Sequence, residues 1–270
     1  MILIRLSCRL LTRLESLAKE VSPRIDPSLV QLITIIKPRK MVEIGSWYGA
    51  SALTFLHTSK IHGTKLSLLC IDTWLGSREH WKNLVPHGEW SRDRLILENG
   101  EPGFFHVFCN VMKVNNFKSQ VQVLRCPSEY SDVFLRANWS DSSLVYIDGD
   151  HSTKAVKADL GVSFTSCPSA VISGDDFGFL TVKNAVYSFC IFRKLKLLVS
   201  ESGATFALVS DSQKQFLEEF KSHGWQEKNR IYGFCTSTIR RLVSGMFVKF
   251  NNINTAKRIN FTVNEKRESL

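Results

Sequence analysis

Four aspartates and a histidine stand in two short runs of the sequence, and each run follows an apolar segment. Asp148-Gly-Asp-His151 comes directly after Ser143–Ile147, and Asp175-Asp176 follow Ala170–Ser173 after a single glycine. If these segments are neighbouring parallel strands, the carboxylates meet at one edge of the sheet, where they repel one another and shift their pKa values. A divalent cation relieves that repulsion, and oxygen ligands favour Mg²⁺ or a similar hard ion over zinc.

The same aspartates also permit an interpretation without a metal. Asp175 and Asp176 would then cap the helix that follows them, and Asp150 would pair with Lys154 on the surface. The residues alone leave both interpretations open.

A glycine-containing turn follows an earlier apolar segment, in the order Glu43-Ile-Gly45-Ser-Trp-Tyr-Gly49. Glycines at a strand end and a helix start allow a tight turn and a close backbone approach to a ligand. The spacing differs from the G-x-G-x-x-G fingerprint and lacks Gly-Lys-Ser/Thr, which disfavours a dinucleotide site and a P-loop. Asp72 ends the next apolar segment, where a carboxylate can accept hydrogen bonds from both hydroxyls of a ribose. Together the turn and Asp72 predict a cofactor that carries adenosine.

The elements that must position these residues alternate regularly along the chain. Near-continuous apolar strands separated by helices indicate a parallel sheet covered on both faces, which is a doubly wound, Rossmann-like α/β fold. In such a sheet, ligands bind outside the carboxyl ends of the strands, where all of the motifs above stand. We predict strands at 41–45, 66–72, 121–125, 143–148 and 170–173, helices at 50–59, 92–114 (interrupted at 99–103), 128–136, 152–160, 182–192 and 213–222, and a closing antiparallel hairpin at 196–200 and 204–209.

Length and composition are those of a globular chain rather than a disulfide scaffold or a disordered segment. The chain has 270 residues, of which 44% are hydrophobic and 22% charged, enough for a substantial core. The 7 cysteines are odd in number and form no C-x-x-C pair. That usage is typical of a reducing compartment and disfavours zinc fingers, so we expect a cytoplasmic location.

Three segments are expected. Residues 1–37 form a helical extension with leucines at helical spacing, which docks on the domain or serves as a presequence or membrane-surface anchor. Residues 38–238 form the main domain. Residues 239–270 form a basic tail whose charge accounts for much of the net +10 of the chain. A solvated tail is the simpler interpretation, while contact with nucleic acid or an anionic membrane stays open.

Five motifs, taken in order, resemble those of class I S-adenosylmethionine-dependent methyltransferases. They are Glu43-x-Gly45-x-x-x-Gly49, Asp72, Cys126-Pro127-Ser128, Asp148-Gly-Asp-His151 and Gly174-Asp-Asp-Phe177. The last two are similar to the group of O-methyltransferases that includes macrocin O-methyltransferase and other antibiotic-sugar enzymes. The resemblance extends over residues 38–210.

The resemblance implies a role for each matching position. Gly45 and Gly49 would line the methionine part of the cofactor, Glu43 would anchor nearby groups, and Ser51 would start the helix that follows. Asp72 would hold the ribose, with Thr73 and Trp74 beside it. Ser128 would lie near the adenine amine, and Asp148 would border the same site. Cys126-Pro127 depart from the commoner glycine-bearing pattern, so the adenine contacts are the least defined. For the metal, the resemblance implies Asp148, Asp175 and Asp176 as ligands, with Asp150 or His151 as general base.

Two functions from different classes follow. The first is metal-assisted O-methylation of a small-molecule acceptor, such as a sugar, polyol or vicinal diol, by a monomer or a homo-oligomer. The second is a non-catalytic or differently catalytic Rossmann-like module whose basic tail binds nucleic acid or membrane. The aromatic loop from Thr73 to Trp90 either stacks on an acceptor or packs as a lid.

Overall fold

The computed structural model describes residues 8–82, 95 and 100–229, with the backbone alone described at 8–11, 78 and 79. The predicted basic tail, residues 239–270, and the loop residues His87 and Trp90 lie outside the described residues. Within the described ranges, no helix combines the length and the apolar character needed to cross a membrane.

Eight strands form one sheet in the order β3-β2-β1-β4-β5-β7-β6-β8. The first five in this order are parallel, and β7, β6 and β8 pair antiparallel. The strands are β1 (Lys40–Ile44), β2 (Ser67–Asp72), β3 (Val121–Arg125), β4 (Leu144–Ile147), β5 (Val171–Gly174), β6 (Lys196–Val199), β7 (Phe206–Val209) and β8 (Gln226–Lys228).

Helices connect the strands and cover both faces of the sheet. They are α1 (Cys8–Glu20), α2 (Pro27–Ile36), α3 (Ala50–Ile61), α4 (Arg78–Lys82), α5 (Phe104–Val114), α6 (Asp132–Asn138), α7 (Thr153–Ser166), α8 (Leu180–Arg193) and α9 (Lys214–Ser222). The predicted doubly wound fold with a closing antiparallel hairpin is confirmed, since β6 and β7 pair as expected.

The core has two layers because successive strand residues point to opposite faces of the sheet. On β1, Met41 packs into one apolar cluster with α2, α3 and α5, while Val42 packs into the other with α7 and α8. β4 alternates in the same way, with Tyr146 in the first cluster and Val145 in the second. Helices on both faces therefore bury every residue of β4.

Helix α2 brings the N-terminal extension onto the first face. Its start is set by local chemistry, because Asp26 Oδ1 accepts a hydrogen bond from Ser28 N at 2.9 Å and Pro27 occupies the first turn. Buried leucines and isoleucines of α2 pack against α3. The peptide just before α2, which contains Arg24, is thereby held against the carboxyl edge of the sheet.

The structure corrects several predicted boundaries. The expected helix at 128–136 is a short 3-10 turn, Ser128–Tyr130, followed by α6. Helix α7 continues six residues beyond the predicted Leu160, to Ser166. The edge strand β8 was not predicted, because Gln226-Glu-Lys228 has no apolar residue to mark it.

Candidate functional site

The strand ends place the predicted acidic residues side by side. Ile147 of β4 lies in register with Gly174 of β5, so the residues that follow them, Asp148 and Asp175, are neighbours. Asp148 N donates to Ile44 O at 2.8 Å, and Asp175 N donates to Ile147 O at 3.0 Å. The parallel ladder therefore continues past the strands and fixes where both aspartates begin.

Glu43 fastens the glycine turn to the helix that follows it. Its carboxylate is fully buried and accepts hydrogen bonds from Ser46 Oγ and Ser51 Oγ, both at 2.6 Å. Burial raises the pKa of Glu43, while the two hydroxyl groups oppose that rise. Both oxygens of Glu43 and the hydroxyl of Ser51 are thus engaged within the turn.

Asp72 supports the same turn from the next strand. Its Oδ2 accepts from Ser46 N at 3.0 Å and Trp47 N at 2.9 Å, and its Oδ1 accepts from Trp74 N at 2.8 Å. A carboxylate offers about four lone-pair positions, so most of this acceptor capacity is used by the backbone. Asp72 therefore has a structural role that the sequence did not predict, beside its expected role toward a ribose.

Gly45 is required by the neighbouring strand as well as by the turn. Its φ is +86°, and a Cβ built there would lie 2.1 Å from the carbonyl oxygen of Asp148. Gly49, with φ of +92°, would bring a Cβ to 2.6 Å from Met112 Cε. The two glycines predicted to line the cofactor thus also allow close packing within the protein. Gly45 lets the turn approach the backbone of Asp148, and Gly49 lets the start of α3 approach Met112.

We expect Gly45→Ala to lower the free energy of unfolding by more than about 3 kcal/mol, because the clash is with backbone and the φ is left-handed. Gly161→Ala is the matched control, since a Cβ there meets nothing within 4 Å. Urea denaturation of both variants measures the difference. Equal stability of the two would contradict the close approach at Gly45.

Arg24 joins three carboxylates at the edge of the sheet. Its Nη1 lies 2.5 Å from Asp175 Oδ2 and 3.4 Å from Asp148 Oδ2, and its Nη2 lies 3.5 Å from Asp26 Oδ2. No local sequence pattern indicates this cation, because Arg24 precedes Asp148 by 124 positions. Asp175, predicted as a metal ligand, faces Arg24 with a side chain that is only 4% exposed.

His151 pairs with the second aspartate of the same run. Its Nε2 lies 2.6 Å from Asp176 Oδ2, and its ring stacks on the half-exposed Phe179 at a centroid distance of 5.1 Å. The hydrogen bond to Asp176 raises the pKa of His151. Asp176 has a φ of +58°, so the backbone turns between Asp175 and Asp176 and directs the two carboxylates to different partners.

The pKa of Asp148 is strongly raised. Burial raises its pKa to about 8, and the charges of Asp175 and Asp176 add to the rise while Arg24 opposes it. Burial and the neighbouring carboxylates therefore outweigh the guanidinium of Arg24 in setting the pKa of Asp148, as expected for clustered carboxylates.

A divalent cation fits three of these side chains. One ligand atom each from Asp148, His151 and Asp176 lie within 4.8 Å of one another. Two carboxylate oxygens and one imidazole nitrogen suit a cation such as Mn²⁺ or Mg²⁺. Asp175, predicted as a ligand, lies against Arg24, while His151, predicted as a general base, lies within the group.

Asp150 lines a small cavity together with Asp148, His151 and Asp176. Its carboxylate is exposed, and Oδ1 accepts a hydrogen bond from Ser152 N at 2.6 Å. Among the described residues the alternative partner, Lys154, makes no ion pair with it. The cavity is lined by Ile147, Asp148, Gly149, Asp150, His151, Val156, Asp175, Asp176, Val182 and Phe206.

Ser128, expected near the adenine, donates a hydrogen bond to Asp159 of α7. Asp159 is buried, which raises its pKa to about 6. Sequence reasoning missed Asp159, although an aspartate on the buried side of an amphipathic helix is a signal that could have identified it. The hydroxyl of Ser128 is therefore fixed by a second element of the fold.

The aromatic loop is packed where it is described. Trp74 is 1% exposed and its Nε1 donates to Trp47 O at 2.8 Å, so its indole lies in the core and only its backbone faces Asp72. Thr73 Oγ1 accepts from Leu75 N at 3.2 Å. His80 is 2% exposed and packs against Phe104. These contacts favour the interpretation of a packed lid for this part of the loop.

Comparison with known proteins identifies the domain that carries this site. A family model described as a methyltransferase domain matches residues 42–177, half of the chain. No curated protein matches the chain.

Among solved structures, cofactor-bound Rv0187 from MTB is 16% identical and aligns over 75% of this chain and 90% of its own, with a TM-score of 0.50. SAH-bound PaMTH1, a methyltransferase of Podospora anserina, is 12% identical over 74% of this chain and 87% of its own, with a TM-score of 0.48. An O-methyltransferase of Bacillus cereus in complex with SAH is 14% identical over 77% of this chain and 94% of its own, with a TM-score of 0.45. The likeness to Rv0187 shows a shared fold.

Proposed function

The chain belongs to the methyltransferase-domain family, and we propose that it transfers the methyl group of S-adenosylmethionine to a hydroxyl oxygen of a small acceptor such as a sugar, polyol or vicinal diol. The observation that carries this proposal is the meeting of two groups at one sheet edge. The glycine turn with Asp72 stands at the ends of β1 and β2, and the carboxylate group of Asp148, His151 and Asp176 stands at the ends of β4 and β5.

The cofactor would lie on the glycine turn. The half-buried carboxylate of Asp72, at the end of β2, would receive a ribose hydroxyl beside its backbone hydrogen bonds. Ser128, held by Asp159, would face the adenine. S-adenosylmethionine supplies a methyl group on a sulfonium, and its transfer is a direct displacement in which positioning provides much of the acceleration.

The acceptor would bind beside the carboxylate group. Asp148, His151 and Asp176 would hold a divalent cation, which when bound would orient two neighbouring acceptor oxygens and lower the pKa of the attacking hydroxyl. The exposed carboxylate of Asp150 lines the same cavity and would receive the proton of that hydroxyl. Phe179, half exposed and stacked on His151, would limit water at this edge.

Calorimetry with S-adenosylmethionine and S-adenosylhomocysteine tests the cofactor assignment. We expect one site for each ligand, and we expect Asp72→Ala to weaken binding by about 1–3 kcal/mol, because charge-assisted hydrogen bonds are lost. The same change leaves the amides of Ser46, Trp47 and Trp74 without their acceptor, so the free energy of unfolding should fall too. Binding is therefore measured well below the melting temperature of the variant. Binding of NAD in place of both ligands would contradict the assignment.

A panel of sugars, polyols and diols, with S-adenosylhomocysteine release as the readout, tests the reaction. Methyl transfer to an oxygen of at least one member supports the proposal. Transfer confined to nitrogen or carbon acceptors would contradict the O-methyl assignment while leaving the family intact.

A further inference from the structure

Arg24 reaches the site from outside the part of the chain that the family model covers, which is 42–177. Its backbone is fixed on the helix that follows the glycine turn: Arg24 N donates to Ala50 O at 3.1 Å, and Thr54 Oγ1 donates to Arg24 O at 2.9 Å. These two contacts with the first turns of α3 hold the backbone of Arg24 in place, and the carboxylates of Asp175 and Asp148 hold its guanidinium. Arg24 is therefore built into the site by the N-terminal extension.

The guanidinium of Arg24 lies directly beside the Asp175 carboxylate. Nη1 lies 2.5 Å from Asp175 Oδ2, within the distance of a charge-assisted hydrogen bond. The side chain of Asp175 is 4% exposed, and among the described residues its Oδ1 is buried without a hydrogen-bond partner. Asp176, the next residue, is 30% exposed and pairs with His151 instead.

We propose that Arg24 is a positioning residue that serves as the resident cation of Asp175, and that it keeps this carboxylate out of the divalent-cation site. The inference rests on the proposed function, in that a cation is held by Asp148, His151 and Asp176. It differs from the sequence-based expectation that Asp148, Asp175 and Asp176 are the ligands. It also gives the N-terminal extension a defined task, which is to set the ligand number at this edge.

The charge of Arg24 has a second consequence at the shared carboxylate. Nη1 also lies 3.4 Å from Asp148 Oδ2, so the fixed positive charge competes with a divalent cation for Asp148. Removing it should free Asp175 as an additional ligand and relieve this competition. Arg24 therefore weakens cation binding while it keeps the geometry of the site fixed.

Binding of Mn²⁺, followed by the electron paramagnetic resonance of the free ion, tests this proposal without measuring activity. In the otherwise unchanged chain we expect Asp175→Asn to weaken Mn²⁺ binding less than about threefold and Asp176→Asn to weaken it about 10–100-fold. Arg24→Gln should tighten binding about tenfold or more, and Asp175→Asn should then reverse most of that gain. Arg24→Lys, which keeps the charge, should stay within about threefold of the unchanged chain.

Arg136→Gln is the matched control. It removes the same charge from an exposed pair with Asp132 on α6, and Mn²⁺ affinity should not change. If Arg24→Gln does not fold, the comparison of Asp175→Asn with Asp176→Asn still decides the matter. Equal weakening by these two variants, or no gain from a folded Arg24→Gln, would overturn the proposal.

Failure of the metal part of the proposed function has a different signature. In that case the unchanged chain binds no Mn²⁺, while Arg24→Gln gains binding that Asp175→Asn removes. That result supports Arg24 as the resident cation and rejects a bound metal in the native site. Absence of Mn²⁺ binding in both the unchanged chain and Arg24→Gln would overturn both.

Discussion

Treatment with EDTA is expected to lower methyl transfer by about 10²–10³-fold, and added Mn²⁺ or Mg²⁺ is expected to restore it. The expectation follows from the three ligand atoms of Asp148, His151 and Asp176, which lie within 4.8 Å of one another. Asp72 and the glycine turn stand at the ends of other strands, β2 and β1. Affinity for S-adenosylmethionine, measured by calorimetry in EDTA, should therefore stay within about twofold.

Full activity in EDTA on an identified acceptor would contradict the metal assignment. The hydrogen bond between His151 and Asp176 would then become the better account of proton removal, because a carboxylate that orients an imidazole is the usual arrangement of a general base. His151→Ala and Asp150→Asn separate the two mechanisms. With a metal, Asp150→Asn binds Mn²⁺ normally and transfers slowly, and His151→Ala loses both Mn²⁺ binding and activity. Without one, Asp150→Asn transfers at nearly the unchanged rate and only His151→Ala is slow.

The parallel half of the fold was predictable because its strands are buried on both faces. Val121-Gln-Val-Leu-Arg125 was predicted with the bounds that the structure shows, and the other parallel strands differ by one residue at one or both ends. Helix α2 was included only as part of a general helical extension, although Asp26 and Pro27 mark its start. Only Ser28, Gln31 and Thr34 interrupt its apolar residues, so the polar face that makes a helix recognisable by period is weak.

The site was predictable where the strand ends determine it and not where long-range contacts do. The adjacency of Asp148 and Asp175 follows from the register of β4 and β5, which the alternation of elements predicts. The pairing of Asp175 with Arg24 depends on where α2 docks, and no local pattern encodes that. The sequence therefore predicted that the aspartates meet at this edge of the sheet, but it did not predict that Arg24 pairs with Asp175.

For Glu43 and Asp72 too, the location was predictable from the sequence while the hydrogen-bond partners were not. The sequence indicated that Glu43 and Asp72 belong with the glycine turn, and both form hydrogen bonds with its residues. Their hydrogen bonds to Ser46, Ser51 and Trp47 reflect a polar network that forms only when β1, β2 and α3 are assembled. Such a network is costly to leave half satisfied, since each buried group without a partner costs about 1–3 kcal/mol.

Asp148→Asn is expected to abolish methyl transfer and at the same time to stabilise the protein at neutral and alkaline pH. Asn has no charge to bury and is a weaker ligand, so the cation site is lost. The wild-type carboxyl has its pKa raised from 3.8 to about 8 in the folded state, by burial first and by Asp175 and Asp176 next. Between these two values the folded protein holds a proton that the unfolded chain releases.

The sign of the pH dependence follows from that proton. Because the folded state binds more protons than the unfolded state, the wild-type free energy of unfolding falls as pH rises from about 4 to about 8. Asp148→Asn lacks this fall, so in EDTA the two proteins should be similar near pH 4 and differ near pH 8, by about 5 kcal/mol if the whole shift counts. Because the Asp148 side chain is 23% exposed, solvent screening lowers the expected difference to about 2–5 kcal/mol, which is roughly 4–20 °C in Tm.

Asp141→Asn provides a control at a carboxylate whose pKa is shifted in the opposite direction. Lys40 lowers the pKa of Asp141, an exposed carboxylate, so its charge slightly favours the folded state above the unfolded pKa. Removing it should leave Tm unchanged or slightly lower, and methyl transfer intact. A lower Tm for Asp148→Asn at pH 8 would show that the Asp148 carboxylate stabilises the fold. A stabilised and inactive Asp148→Asn would instead identify the carboxylate group as a place where folding stability is given up for function.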